Sequence, residues 1–372
     1  MKELKVLQVI NSLGPGGAEK LVVDTIKIYR ERNLHVDIFL LDNKEYPLRK
    51  ILEETPGVKI LSSKTKLSVY NPLQIYYLNK YLKNYDIVHV HLFPSLYWVY
   101  FASLFSFKKV KLIFTEHNTT NRRRDHAILN FFDKLAYKKY SKIVTISNAV
   151  HENLKQYLGK KYNLFKIYNG IDLEEIHLAK PYSKKKFDLT ENDVMLIQVS
   201  SFTPQKDQET LIKALALLDG KFHLFLVGVG TTMEKCQQLA RELKVDKRLH
   251  FLGMRRDVPS LLKTADIVLL ISHFEGLSLS SVEGLASGKP FIASDVPGLT
   301  EVVENGGILV PHQNAKQLKN KIFQITEDKA LLQKTVESSL RKSKNYDVHL
   351  MVENYLNLYN SIIEDKKTKI TN

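Results

Sequence analysis

The sequence predicts an α/β protein built from two Rossmann-like units in tandem. Short apolar runs alternate with amphipathic helical stretches, which is the βαβ pattern of a parallel sheet with helices on both faces. The alternation stops at Ala179–Lys186 (AKPYSKKK) and then restarts. Pro181 and the lysine run make that segment a poor core element and a good linker. The length of 372 residues suits two domains, at about 100–200 residues each.

In the first half the strand candidates are Lys5–Asn11, His35–Leu41, Lys59–Leu61, Ile87–His91, Leu112–Glu116, Ile143–Ile146 and Phe165–Tyr168. Each is a short apolar, β-branched-rich run, as a strand buried on both faces requires. Amphipathic stretches such as Ala18–Arg32 and Asp125–Tyr140 separate them. After the linker the strand candidates are Val194–Val199, Phe222–Val227, Leu249–Leu252, Ile267–Ile271, Phe291–Ala293 and Ile308–Val310. Helices are expected at Asp207–Leu218, Met233–Leu243, Ser280–Ser287, Ala315–Ile325 and Lys329–Lys344. A last long helix, Tyr346–Glu364, follows completion of the second sheet, and the tail from Lys366 is expected to fray. The expected domains are 1–180, 181–345 and a terminal helix in 346–372.

Composition narrows the class. Hydrophobic residues at 44% and charged residues at 26% fit a packed protein and exclude a mainly disordered or collagen-like chain. The single cysteine, Cys236, excludes an internal disulfide framework. The apolar run Val6–Ile10 is too short for a signal-peptide core, so a cytoplasmic location is expected. Most of the net charge of +15 falls in residues 1–180. A basic surface suits phosphates, nucleic acid or an anionic membrane, or simply solubilises the chain. The uncharged stretch Leu92–Phe107 (LFPSLYWVYFASLFSF) is shorter than the ~20 residues of a spanning helix. It reads as a buried helix or, given its aromatic content, as a membrane-interface helix.

Four segments carry candidate chemistry. Gly14–Glu19 (GPGGAE) follows the first strand and opens a helix, where glycines let backbone N–H groups approach an anion. A bare strand-to-helix turn also favours glycine. The position of a third fingerprint glycine is Glu19, which weakens a nicotinamide reading. Ser272–Glu283 (SHFEGLSLSSVE) carries Glu275 in a loop and Glu283 in the next helix. These carboxylates can accept hydrogen bonds from sugar and ribose hydroxyls, with N–H groups between them facing a diphosphate. The competing reading is a capping box, Ser280-x-x-Glu283. Lys206, in Val199–Asp207 (VSSFTPQKD), stands where it can reach a diphosphate at a helix N-terminus, or is solvated. Finally, His89 and His91 share one strand face, and no further ligands suggest a metal site for them. His117 ends another strand, at the edge where parallel sheets bind ligands. Core or capping roles are the alternative for each histidine.

The ordered set resembles a retaining glycosyltransferase of family 4, with the GT-B fold of two facing Rossmann-like domains. The resemblance runs through GGAE (Gly16–Glu19), EHN (Glu116–Asn118), IVTISNAV (Ile143–Val150), IYNGID (Ile167–Asp172) and KDQETLIKALALL (Lys206–Leu218). It continues through LVGVG (Leu226–Gly230), FLG (Phe251–Gly253), ADIVLLIS (Ala265–Ser272), the Glu275/Glu283 pair, ASGKPFIASDVPGLTEVV (Ala286–Val303) and GGILVP (Gly306–Pro311). It implies that Glu275 holds the donor sugar's hydroxyls and Glu283 the ribose. It implies that Gly276, Leu277, Leu279 and Ser280 offer backbone donors, that Lys206 binds phosphate, and that Gly16 and Gly17 close on the diphosphate. His117 matches the active-site histidine. The terminal helix would return to the N-terminal domain. One departure stands out: the arginine usual five residues before the lysine is Ser201 here.

The resemblance implies transfer of a hexose-type sugar from a UDP- or GDP-linked donor to an acceptor hydroxyl, with retention. No Asp-x-Asp occurs, so no cofactor and no essential metal are expected. Relatives of this kind build capsules, O-antigens and other surface polysaccharides on lipid carriers. That fits the basic N-terminal half and an acceptor at an anionic membrane surface, whose phosphate Arg122, Arg123 and Arg124 would bind; an exposed loop is the alternative for these arginines. The rivals are a sugar-nucleotide epimerase of the same fold, a nicotinamide oxidoreductase and a nucleic-acid-binding protein. The last lacks any recognisable basic helix or aromatic RNA motif, so no nucleic-acid partner is expected.

Overall fold

The computed structural model describes residues 3–14, 16–63, 67–106, 108–118, 121–159, 162–276 and 278–368, with only the backbone of 122, 125 and 365–368. The chain divides into two compact units, Met1–Asn169 with Val348–Asn372, and Gly170–Asp347.

The first unit runs β1 (Lys5–Ile10), α1 (Gly17–Glu31), β2 (His35–Leu40), α2 (Pro47–Glu53), β3 (Ile60–Ser62), α3 (Gln74–Leu82), β4 (Ile87–His91), α4 (Ser95–Leu104), β5 (Lys111–Glu116), α5 (Ala127–Lys139), β6 (Lys142–Thr145), α6 (Asn148–Leu158) and β7 (Leu164–Lys166). Its seven strands pair in parallel in the order β3-β2-β1-β4-β5-β6-β7. Successive side chains of a strand face opposite sides. Val6 and Ile10 accordingly join one core with α1, while Leu7 and Val9 join another with α3, α4 and α5. Leu92–Phe107 contributes α4, whose Leu96, Tyr97, Val99 and Ala102 are buried.

The second unit runs α7 (Leu173–Leu178), β8 (Val194–Val199), α8 (Gln208–Ala216), β9 (Phe222–Val227), α9 (Met233–Glu242), β10 (Leu249–Gly253), α10 (Val258–Thr264), β11 (Ile267–Leu270), α11 (Leu279–Ala286), β12 (Phe291–Asp295), α12 (Thr300–Val303), β13 (Ile308–Pro311), α13 (Ala315–Glu327) and α14 (Lys329–Ser343). Its six strands are also parallel, in the order β10-β9-β8-β11-β12-β13. Both sheets therefore reverse direction of growth beside their first strand, at β1/β4 and at β8/β11. Ligands bind such sheets in the crevice beyond the carboxyl ends of those strands.

One boundary differs from the expected ones. Residues from Gly170 to Lys180 belong to the second unit rather than the first. The physical reason is local: Lys263 Nζ donates to the His177 carbonyl at 2.5 Å, and α7 packs on α10 and α11. The terminal helix α15 (Val348–Thr368) belongs to the first unit, as expected. Its Val348, Met351, Val352, Tyr355, Leu358, Tyr359 and Ile362 form a helical stripe buried in the core that holds α1. Each fully buried side chain of this kind contributes about 1.5–3 kcal/mol. The helical backbone of α15 runs to Thr368, past Lys366 where fraying was expected; 369–372 lie outside the described residues.

Candidate active site

In the second unit the loop after β8 meets the loop after β11. Gln198, fully buried in β8, accepts from the Ile271 N–H at 2.6 Å through Oε1 and so ties the two strand ends together. Beyond them, the Asp207 N–H donates to the Ile271 carbonyl at 3.1 Å and the His273 N–H to the Gln205 carbonyl at 2.9 Å. This ladder sets Lys206 against Ser272. Lys206 Nζ forms an ion pair with Glu275 Oε1. Ser272 Oγ donates to the same oxygen at 2.7 Å, and Gln205 Nε2 donates to Oε2 at 3.1 Å. Both members of the pair are largely shielded from water, and their attraction is worth more there than at a surface. The structure thus brings together Lys206 and Glu275, and adds Gln198, Gln205 and Ser272, which the sequence reading passed over. Gln205 sits one residue before Lys206 and was the easiest of these to find. Ser201, in place of the usual arginine, is exposed, and its carbonyl accepts from Gln208 Nε2 at 3.0 Å.

Glu275 leads into Gly276 and then into α11. The N-cap of α11 is Ser278, whose side chain makes no capping bond. Ser280 is therefore already inside the helix, and the Ser280-x-x-Glu283 capping box does not form. The first N–H groups of the helix, including those of Leu279 and Ser280, have no intrahelical acceptor and face the loop end, where an anion is favoured. Glu283 lies one turn in and is partly buried. Leu277 lies outside the described residues.

In the first unit Gly16 is the N-cap of α1 and Gly17 its first residue, with Gly17 exposed. Gly16 N–H donates to the Gly14 carbonyl at 2.9 Å, which folds the loop tightly after β1. A side chain at Gly16 would run into the Glu19 carboxylate. Burial raises the pKa of Glu19 above its usual range.

His117 follows β5 and opens a chain of buried hydrogen bonds. His117 Nε2 lies 3.1 Å from His91 Nδ1, and His91 Nε2 lies 2.8 Å from Gln8 Oε1. Gln8 Nε2 donates to the Tyr359 hydroxyl at 3.3 Å, and that hydroxyl lies 2.7 Å from His89 Nδ1. His89 Nε2 meets Thr115 Oγ1 at 2.7 Å, and Thr115 Oγ1 meets the Tyr355 hydroxyl at 3.1 Å. The network assigns the tautomers. Gln8 Oε1 can only accept, so His91 carries its proton on Nε2. His91 Nδ1 then accepts, so His117 carries its proton on Nε2 and keeps a lone pair on Nδ1. Burial depresses all three histidines, His117 to about 4 and His89 to about 3. His117 is therefore neutral at pH 7 and can accept a hydrogen bond from a hydroxyl, but it supplies no positive charge. His89 and His91 are structural members of this chain.

For Arg123 and Arg124 the expected role as acceptor-phosphate ligands gives way to contacts within the first unit. Arg123 is buried: its Nε donates to Asn121 Oδ1 at 2.9 Å, its Nη2 lies 3.7 Å from Asp133 Oδ1, and it stacks over Phe93. Arg124 donates to Asn153 Oδ1 at 2.5 Å and lies 3.6 Å from Glu116 Oε2. Glu116 also accepts from the Tyr137 hydroxyl at 2.6 Å. Arg123 and Arg124 therefore brace the loop around His117 from inside, instead of waiting for an acceptor phosphate. The side chain of Arg122 lies outside the described residues.

Comparisons with known proteins give the family of the chain. The family model "Glyco_transf_4, Glycosyltransferase Family 4" matches residues 15–175, and "Glycosyl transferases group 1" matches residues 180–342. The chain belongs to the family 4 glycosyltransferases. It is 26% identical over 298 residues to the N-acetyl-alpha-D-glucosaminyl L-malate synthase of Bacillus anthracis, covering 77% of each chain. It is 25% identical to the UDP-Gal:alpha-D-GlcNAc-diphosphoundecaprenol alpha-1,3-galactosyltransferase of Escherichia coli, over 80% of this chain and 82% of that one. The crystal structure of Anabaena HepE in complex with UDP superposes with a TM-score of 0.83 at 23% identity, over 96% of this chain and all of that one. The glycosyltransferase thus has the GT-B fold.

Proposed function

We propose that this glycosyltransferase moves a hexose-type sugar from a UDP- or GDP-linked donor to an acceptor hydroxyl, with retention at the anomeric carbon. The observation that carries the reading is the Lys206–Glu275 pair beside the N-terminus of α11, at the switch point of the second sheet. Glu275 offers carboxylate oxygens to sugar hydroxyls, Glu283 to the ribose, and Lys206 with the α11 N–H groups balances the diphosphate charge. The solved neighbour with UDP favours a uridine donor. In the transfer the acceptor oxygen bonds to the anomeric carbon as the carbon–phosphate oxygen bond breaks. The departing phosphate oxygen takes the acceptor proton, so the protein's part is positioning and charge stabilisation. In the first unit, taken by itself, His117 Nδ1 can accept from a hydroxyl, and the N–H groups of the Gly16–Gly17 turn can approach an anion. No cofactor or essential metal takes part. Incubation with labelled UDP- and GDP-sugars and lipid-linked acceptors in excess EDTA tests this. Product should form only with acceptor present, and Glu275→Ala should lower kcat at least 100-fold while leaving the melting temperature within a few degrees. Product from donor alone would indicate an epimerase instead.

The acceptor we infer is a sugar on a lipid diphosphate, in cell-surface polysaccharide synthesis, at the inner face of an anionic membrane. The Escherichia coli relative uses such a carrier. Among the described residues no helix is long and apolar enough to cross a membrane. The first unit does expose Leu104 and Phe105 beside α4 and Ile128, Leu129, Phe131 and Phe132 on α5, and Phe101 of α4 packs against Phe132. Exposed aromatic and aliphatic side chains on a basic unit suit an interfacial surface. Co-sedimentation with anionic vesicles at low salt should retain the protein and lose it at high salt; equal recovery with neutral vesicles would count against the charge term.

A further inference from the structure

We propose that Asp207, His273 and His312 form a binding site for a divalent transition cation of the zinc class. The three residues come from the N-cap of α8, the loop after β11 and the turn after β13, all within the second unit. Their ligand atoms lie within 4.8 Å of one another. His273 Nδ1 is 2.7 Å from His312 Nε2 and 3.9 Å from Asp207 Oδ2. A tetrahedral cation with ligands at about 2.1 Å needs donor atoms about 3.4 Å apart. One distance falls below that value and the other above it, so small opposite adjustments admit the ion.

The decisive feature is convergence on one ring nitrogen. His273 turns the same Nδ1 toward both partners. The other histidine pair of this unit does not: His223 faces His250 with Nδ1 at 3.2 Å but Asp193 with Nε2 at 3.9 Å, so no single point is shared. The chain at His91 diverges in the same way, with Nδ1 toward His117 and Nε2 toward Gln8. The carboxylate of Asp207 keeps capacity for a cation. Its Oδ1 accepts from the Thr210 N–H at 3.2 Å and its Oδ2 from Thr210 Oγ1 at 2.7 Å, and each carboxylate oxygen has a second lone pair. His312 is exposed and His273 partly so, giving the ion an entry path. Two imidazoles and one carboxylate leave a fourth position for water, the donor set that zinc-class ions favour.

Place gives the site its interest. Asp207 is the neighbour of Lys206, and His273 follows Ser272, so the ion would tie together the two loops that hold Lys206 against Glu275. The site does not depend on the proposed sugar transfer, and its test reads metal binding alone. Calorimetric titration of the untagged full chain with Zn²⁺ should show one strong site. His312→Ala and His273→Ala should each weaken it at least tenfold, and His223→Ala should leave it unchanged. Substitution with Co²⁺ should give the intense visible absorption of four-coordinate cobalt, lost in His312→Ala. His312 is exposed in a turn, so its variant should keep the metal-free melting temperature. Equal affinity in His312→Ala and the parent chain, or no site in the parent, would overturn the proposal.

Discussion

Gly298 has φ of +86°, and a Cβ there would strike the carbonyl oxygens of Glu275 and Gly276. The loop after β12 therefore supports the segment that carries Glu275, whose N–H donates to the Pro297 carbonyl at 3.0 Å. Gly298→Ala should cost about 1–3 kcal/mol in strain. It should also shift Glu275 away from Lys206, so that donor affinity falls with stability. Thermal melting with and without UDP checks this, and a variant that keeps both the parental melting temperature and the UDP-induced shift would separate Gly298 from the site. Glu275, Lys206 and His117 were legible in the sequence because they follow apolar runs that end at the ligand-binding edge of a parallel sheet. Gly298, Gln198 and Ser272 were not, because their roles lie in contacts between loops far apart in the chain.

Among the elements, α15 carries consequences beyond packing. Its Tyr359 hydroxyl receives Gln8 Nε2 and meets His89 Nδ1, so the helix sets the orientation of the glutamine that fixes the tautomer of His91 and hence of His117. Tyr359→Phe removes one hydroxyl and leaves a buried imidazole nitrogen without a partner, a loss of about 1–3 kcal/mol. It should also reduce kcat several-fold with little change in KM for an acceptor. Steady-state kinetics beside denaturant melts check both parts; unchanged kcat in a destabilised variant would confine Tyr359 to packing. The sequence reading placed α15 as a long terminal helix, and the strands fell within about two residues of their observed ends. Strands buried on both faces are continuous apolar runs and are easy to read. The helices α2, α3, α6, α7, α10 and α12 went unnamed, and α2, α7, α10 and α12 span about two turns or fewer, too short to show a repeating apolar stripe.

For the molecule as a whole, the buried histidines make stability depend on pH. His117, His91 and His89 have folded pKa values below the ordinary 6.5, chiefly through loss of solvent and, for the inner two, through neighbouring histidine charge. Below pH 6.5 the unfolded chain therefore binds more protons than the folded one. Their contribution is complete above about 6.5 and is lost as pH falls toward the folded values. A single such histidine accounts for roughly 2 kcal/mol between pH 7 and pH 5. Glu116 and Glu19 work in the opposite sense, since burial raises the pKa of each and the folded chain takes up those protons first. Three histidines outweigh two carboxyls over this range, so the melting temperature should drop from pH 7 to pH 5. A flat profile, or a rising one, would mean that the cluster carries charge.

The sequence by itself determined the two-unit α/β architecture, the order of the strands, the family and the loops that bear Glu275, Lys206 and His117. Local runs of apolar residues and short polar motifs encode those features directly. Only the tertiary structure decided that Lys206 pairs with Glu275, that α11 starts at Leu279 so that no capping box forms, and that Arg123 and Arg124 turn inward. It also decided that Gly170–Lys180 joins the second unit. Each of these depends on which partner a side chain or segment meets across a long sequence separation, where burial and pairing energies choose among contacts that the local sequence leaves equally open.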